Sequence, residues 1–300
     1  ESETYCFRNS VHAIRLENTV DWERKILIGI LWSSLARYFY FMTSSSWGMW
    51  HDEIHLEEVM SLPTRFPKNQ ELRERIVQIV DKLCVWSEPV DNTALIDPQA
   101  QREISALENQ LDTAIFDLFE LTEAERDLIR DMCSFGFEHL YKPTSSLATS
   151  KVDVHMASGT IRNLPQGRQD GRGLDDYLEA FLAVWNRELE PTGEFRWRIV
   201  LPDSVPMLGV IFTTQEKGLI NSDPEIDDQD DWNVVLEKCS NALRQEVSRS
   251  IYIDGLIRVV TDTDIYLIKR NERRLWTRSM AREDAEATLL QAMYLQQARV

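Results

Sequence analysis

Residues 104–129 read ISALENQLDTAIFDLFELTEAERDLI, and the spacing inside this run settles how the middle of the chain folds. Ile104, Leu107, Leu111, Ala114, Leu118 and Leu121 recur at intervals of 3-4-3-4-3, one apolar stripe along an α-helix. Two and a half heptads are enough for a packed helical hairpin and too few for a long coiled coil. Thr122 with Glu125 makes a capping box, so a further helix is expected to run from there to about Leu140. Upstream, a helix beginning at Asn69 puts Leu72, Ile76, Ile79, Val80 and Leu83 on one face and Arg73, Glu74 and Arg75 on the other. The two stripes are expected to face each other, which makes residues 69–143 a helical spacer closed by Pro143.

Toward the N-terminus, Ile26 to Met42 is a helix candidate. Leu27, Ile30, Leu31, Leu35, Tyr38 and Met42 recur along it, and Asp21 stands ahead as a possible cap. A polar turn follows from Thr43 to Gly48, then a short acidic segment that Pro63 and Pro67 stop. Before the helix, Thr4–Phe7 and Ser10–Leu16 are strand-like, the second with period-two alternation. Residues 1–68 are read as one unit. Toward the C-terminus, residues 144–173 are rich in Gly, Ser and Arg and are read as a linker. From Gly173 the pattern is mixed: a helix over 174–189, strands over 195–201 and 207–213, an acidic loop over 221–231 and a helix over 232–248. A hairpin then pairs 251–260 with 264–269 around Thr261-Asp262-Thr263, and a last helix covers 282–298. The expected fold class is therefore α+β, with residues 144–300 as a C-terminal α+β domain.

Three hundred residues correspond to about two domains. An apolar share of 43 % and a charged share of 28 % exclude a disordered, collagen-like or disulfide-dense chain. The longest apolar stretch, 26–42, is broken by Ser33, Ser34 and Arg37, short of the roughly 20 residues that span a membrane. Cys6, Cys84, Cys133 and Cys239 are far apart with no CxxC spacing, as expected for reduced thiols of a cytoplasmic protein without zinc. Thirty-three basic against 50 acidic residues leave a formal charge of −17. A free-standing nucleic-acid binder is normally basic, although net charge averages over surfaces that never meet the ligand. The chain opens at Glu1 in mid-pattern and is expected to be a piece of a longer protein.

Catalytic motifs are missing. There is no GxGxxG after a strand, no P-loop, and no GxSxG, HExxH or HRD. His51 and His55 lie four apart, but Asp52 stands where a zinc-protease helix needs Glu. Asp254, Asp264 and Lys269 fall in a hairpin of the nuclease kind, yet Leu267 replaces the acid two residues before the lysine. Asp223, Glu225, Asp227, Asp228, Asp230 and Asp231 lack the Gly and spaced Glu of a calcium loop and read as a solvated loop. The most functional-looking stretch is Leu31 to Gly48, where hydroxyls and turn amides beside Trp and Arg suit a phosphate or a base edge. A helix packed on a sheet produces the same aromatic density, so both readings stand on composition.

Residues 26–67, ILIGILWSSLARYFYFMTSSSWGMWHDEIHLEEVMSLPTRFP, resemble the target-recognition region of adenine-N6 DNA methyltransferases with a TaqI-like specificity domain. Ile30 to Leu35, Ser44-Ser45-Ser46-Trp47-Gly48 and Leu62-Pro63 match that pattern; Trp32 departs from it, where the family usually has Asn. Residues 104–129 are similar to the helix pair that follows recognition domains in such methyltransferases and in specificity subunits. Residues 252–285 look more loosely like the tail of large bacterial defence methyltransferases.

The resemblance implies a catalytic domain upstream that binds S-adenosylmethionine and flips an adenine into an Asn/Asp-Pro-Pro-Tyr/Phe pocket. No such motif occurs in this sequence, so the chain is expected to read double-stranded DNA for that domain and to hold no cofactor or metal itself. Arg37, Ser44, Ser45, Ser46, Trp47 and Arg65 are the expected DNA contacts. Lys269, Arg270, Arg273, Arg274, Arg278 and Arg282, with Trp276 among them, form one dense basic run expected to track a phosphate backbone or a partner's acids. The alternative is an acidic assembly module that docks other defence-system subunits and does not touch DNA.

Overall fold

A computed structural model describes residues 19–45, 54–86, 98–165, 173–189, 191–203, 205–217, 232–244 and 255–297. The strand-like runs expected before residue 18, the acidic loop over 221–231 and Asp254 lie outside the described residues. The chain divides into two units, Glu1–Ser134 and Phe135–Val300.

The N-terminal unit is helical among its described residues. Its elements are α1 (Asp21–Trp32), α2 (Ser34–Thr43), α3 (Leu56–Met60), α4 (Gln70–Trp86), α5 (Pro98–Leu118) and α6 (Glu123–Asp131). The expected helix over 26–42 is thus two helices, bent by 60° at Ser33. Ile26 and Ile30 of α1, Ala36 and Tyr40 of α2, Ile76, Val80 and Leu83 of α4, and Leu111, Ala114 and Ile115 of α5 close one core. The 3-4 stripe of residues 104–118 is the reason α5 sits centrally. Helices α4 and α5 do pack on each other, but the expected spacer is not separate: both share this core with α1 and α2. Gly29 makes the close approach possible, since a Cβ there would lie 3.2 Å from Ile76 and Val80 and 3.3 Å from Leu111. Among the described residues no single helix is long and apolar enough to cross a membrane.

The C-terminal unit begins with α7 (Phe137–Tyr141) and packs α8 (Asp175–Leu189), α9 (Trp232–Leu243) and α10 (Arg278–Gln297) on a sheet of β1 (Ser158–Thr160), β2 (Gly193–Val200), β3 (Met207–Glu216), β4 (Leu256–Val260) and β5 (Asp264–Arg270). Strand order is β1-β2-β3-β5-β4, every neighbouring pair antiparallel. Part of the expected linker therefore supplies the edge strand β1. Alternation along β3 and β5 sends Leu208, Val210, Phe212, Ile265 and Leu267 to the face covered by α8 and α10, and Met207, Ile211, Tyr266 and Ile268 to the face covered by α9. With helices on both faces, the unit is an α+β layer structure.

Candidate nucleic-acid interface

The first resemblance run folds around one carboxylate. Asp112 of α5 accepts the Ser34 amide at 2.7 Å on Oδ1 and the Ser34 hydroxyl at 2.6 Å on Oδ2. The acid thus sits at the N-terminus of α2, where free amides and the helix dipole favour a negative charge. Ser33 makes the bend: its hydroxyl donates to the Ile30 carbonyl at 2.7 Å and accepts the Ala36 amide. Burial pushes the Asp112 carboxyl above its ordinary value, against the pull of the two Ser34 bonds. One turn earlier on α5, Glu108 accepts the Trp32 indole N–H at 3.1 Å. Trp32, the position that departs from the family pattern, therefore still makes a polar contact, and makes it to the second resemblance run.

At the other end of α2, the Ser44 amide bonds the Tyr40 carbonyl at 2.8 Å. Glu58 of α3 then bonds both Ser45 and His55. Its carboxylate accepts the Ser45 amide at 2.8 Å, the Ser45 hydroxyl at 3.0 Å and the His55 amide at 2.8 Å. These backbone donors hold the Glu58 carboxyl down to about 2. Ser45 and Arg37 are exposed and Ser44 is half-buried. Arg65 is exposed and paired with Glu120 at 2.7 Å. Ser46, Trp47 and His51 lie outside the described residues. Among the described residues no group of three or more His, Cys, Asp or Glu side chains is arranged to hold a metal.

The basic run of the C-terminal unit is not the expected surface. Lys269 is 2 % exposed and ion-paired with Asp284 of α10, which is fully buried. Its ammonium also donates to the Leu275 carbonyl at 2.9 Å and lies 5.0 Å from the Tyr177 ring and 5.1 Å from the Trp276 ring. The Tyr177 hydroxyl donates to Asp284 at 2.5 Å, and Arg258 reaches the same carboxylate at 2.7 Å. Burial pushes the Lys269 ammonium below the usual lysine range while Asp284 opposes that shift. Burial and the Asp284 charge both drive the Tyr177 phenol well above its ordinary value.

Arg273 is buried, its guanidinium 5.4 Å from the Phe135 ring. Arg274 pairs with Glu272 at 2.8 Å, and half-buried Arg278 pairs with Glu179 and lies 3.7 Å from Asp176. Trp276 is buried, its indole donating to the Arg270 carbonyl at 2.9 Å. Arg282 is half-buried, and of this run only Arg270 is exposed. The physical reason is period two: Lys269 follows Ile265 and Leu267 on the face of β5 that α8 and α10 cover. Asp264, the other acid considered for a nuclease, lies at the opposite end of β5 and is held by Thr213 at 2.6 Å and Thr263 at 2.8 Å.

Sequence reasoning missed Asp284, Arg258 and Tyr177. Two signals pointed to the first two. Asp284 stands between Ala281, Ala285 and Thr288 at helical spacing, and Arg258 alternates with the inward Ile257 and Val259 onto the face that Lys269 shares. Comparison with protein-family models, with curated proteins and with solved structures finds no match to this chain.

Proposed function

We propose that the chain is the target-recognition part of an adenine-N6 DNA methyltransferase from a cytoplasmic bacterial restriction or phage-defence system. It binds double-stranded DNA and positions it, with methyl transfer carried out by a catalytic domain. The observation that supports this reading is the joining of the two resemblance runs. Residues 26–67 and 104–129, matched independently, share one core, and their polar positions bond each other through Ser34–Asp112 and Trp32–Glu108. Base edges are then read by groups at the end of α2, Ser45 among them, while Arg37 and Arg65 meet phosphates.

The methyl donor is S-adenosylmethionine. The cofactor belongs to the catalytic domain in this reading, and no step here runs through it. The inward turn of Lys269 and Arg273 favours the second reading for the C-terminal unit, a module that contacts other subunits of the defence complex. Selection from a pool of random duplexes by the 300-residue chain tests the proposal. Enrichment of a short fixed sequence is expected, with enrichment weakened by Ser45→Ala; a pool that stays random overturns it.

A further inference from the structure

A separate pocket of about 450 Å³ opens in the C-terminal unit, within the range of small-molecule sites. Three backbone ties build it. The Asn271 amide bonds the Pro206 carbonyl at 2.9 Å, the Val152 amide bonds Asn271 Oδ1 at 2.9 Å, and the Arg273 amide bonds the Ser150 carbonyl at 3.0 Å. The last two ties flank Lys151 and bring it to the same pocket as Arg270. Val205, Met207, Trp232 and Leu236 form an apolar wall, with Trp232 and Leu236 one turn apart on α9.

The polar groups of this pocket are poised for an anion. Asn271 is 8 % exposed; its Oδ1 is used by Val152, and its Nδ2 donors have no partner among the described residues. Lys151 is exposed and likewise has no ion-pair partner among them. Arg270 stands 3.7 Å from Glu272, whose carboxylate is already held by Arg274 at 2.8 Å. An apolar wall facing two cations and an open amide donor fits a flat ring that carries a small anion. With Glu272 held by Arg274, Lys151 and Arg270 leave two positive charges, which match one phosphate dianion rather than a longer phosphate chain.

We propose that this pocket binds a nucleoside monophosphate, with the phosphate on Lys151 and Arg270, the base against Trp232 and Leu236, and a ligand acceptor on the Asn271 amide. It is a second ligand site, independent of how the N-terminal unit treats DNA. Calorimetric titration of the full chain with AMP, adenosine and inorganic phosphate tests it. AMP is expected to bind at one site, at least about tenfold tighter than either adenosine or phosphate alone. Lys151→Gln, at an exposed unpaired side chain, is expected to weaken AMP about tenfold with the thermal midpoint unchanged, and Arg270→Gln to do the same. AMP binding no tighter than phosphate, or an affinity indifferent to both substitutions in folded protein, overturns the proposal.

Discussion

Both units bury aspartates, and one from each, Asp112 and Asp284, are satisfied in opposite ways. Asp112 is met by neutral donors, an amide and a hydroxyl at the start of α2. Asp284 is met by two cations and a phenol, Lys269, Arg258 and Tyr177. In the first unit the acid fixes a bend while Arg37 and Arg65 stay at the surface. In the second the cations are drawn inside to neutralise it. A run of basic residues in a sequence is therefore not a basic surface: a strand whose alternate positions are apolar carries a lysine at the next such position inward.

The contrast is open to attack, the largest effect first. Asp284→Ala strands the buried Lys269, while Arg258 keeps Glu283 at 3.0 Å, and is expected to cost about 3–5 kcal/mol, as breaking a buried ion pair does. Urea denaturation followed by hydrogen exchange, which resolves the units separately, should place the loss in the C-terminal unit and leave α1 and α2 unaltered. A loss spread evenly over both units would break the comparison.

Asp112→Ala is expected to cost less, about 1.5–3 kcal/mol for a charge-assisted pair of hydrogen bonds. Asp112→Asn keeps an acceptor for the Ser34 amide and should cost under about 1 kcal/mol. The two also differ in pH response. Because burial raises the Asp112 carboxyl in the folded state, its contribution is fully present below the ordinary value of 3.8 and declines as pH rises through the folded value. Asp112→Asn should remove that decline from the stability profile of the N-terminal unit.

Glu58→Gln gives the smallest effect and the opposite sign. Its carboxyl is lowered to about 2 from 4.5, so the contribution is present above 4.5 and lost as pH falls toward 2. The group is half-buried and bonds to Ser45 and His55, so the expected change is local. Faster amide exchange at Ser45 and His55 is expected, with no shift of the thermal midpoint. Unchanged exchange at both amides would mean that the carboxylate does not clasp the turn.

Much of the architecture was legible from periodicity. The 3-4 stripe at 104–118 places α5 in the core, the Thr122–Glu125 box caps α6 as read, and the hairpin around 261–263 pairs β4 with β5. What failed did so where a tertiary partner decides. The bend is capped locally by Ser33, but the carboxylate that receives Ser34 lies 78 residues further along the chain, where no local pattern points to it. The merging of the expected spacer with the first unit rests on Gly29 admitting α4 and α5 to within van der Waals contact. Lys269 was legible in principle from its alternation with Ile265 and Leu267, but its compensating acid lies on a helix 15 residues later. Charge counted along the chain gave no hint of that pairing.

Duplex binding by the 300-residue chain, measured across about 50 to 200 mM salt, tests whether the N-terminal unit meets DNA. The account predicts that log K falls linearly with log salt, that Arg37→Gln and Arg65→Gln each reduce the slope by about one, and that Arg274→Gln leaves it unchanged. Binding that is absent, or that responds to Arg274 and ignores Arg37 and Arg65, contradicts it.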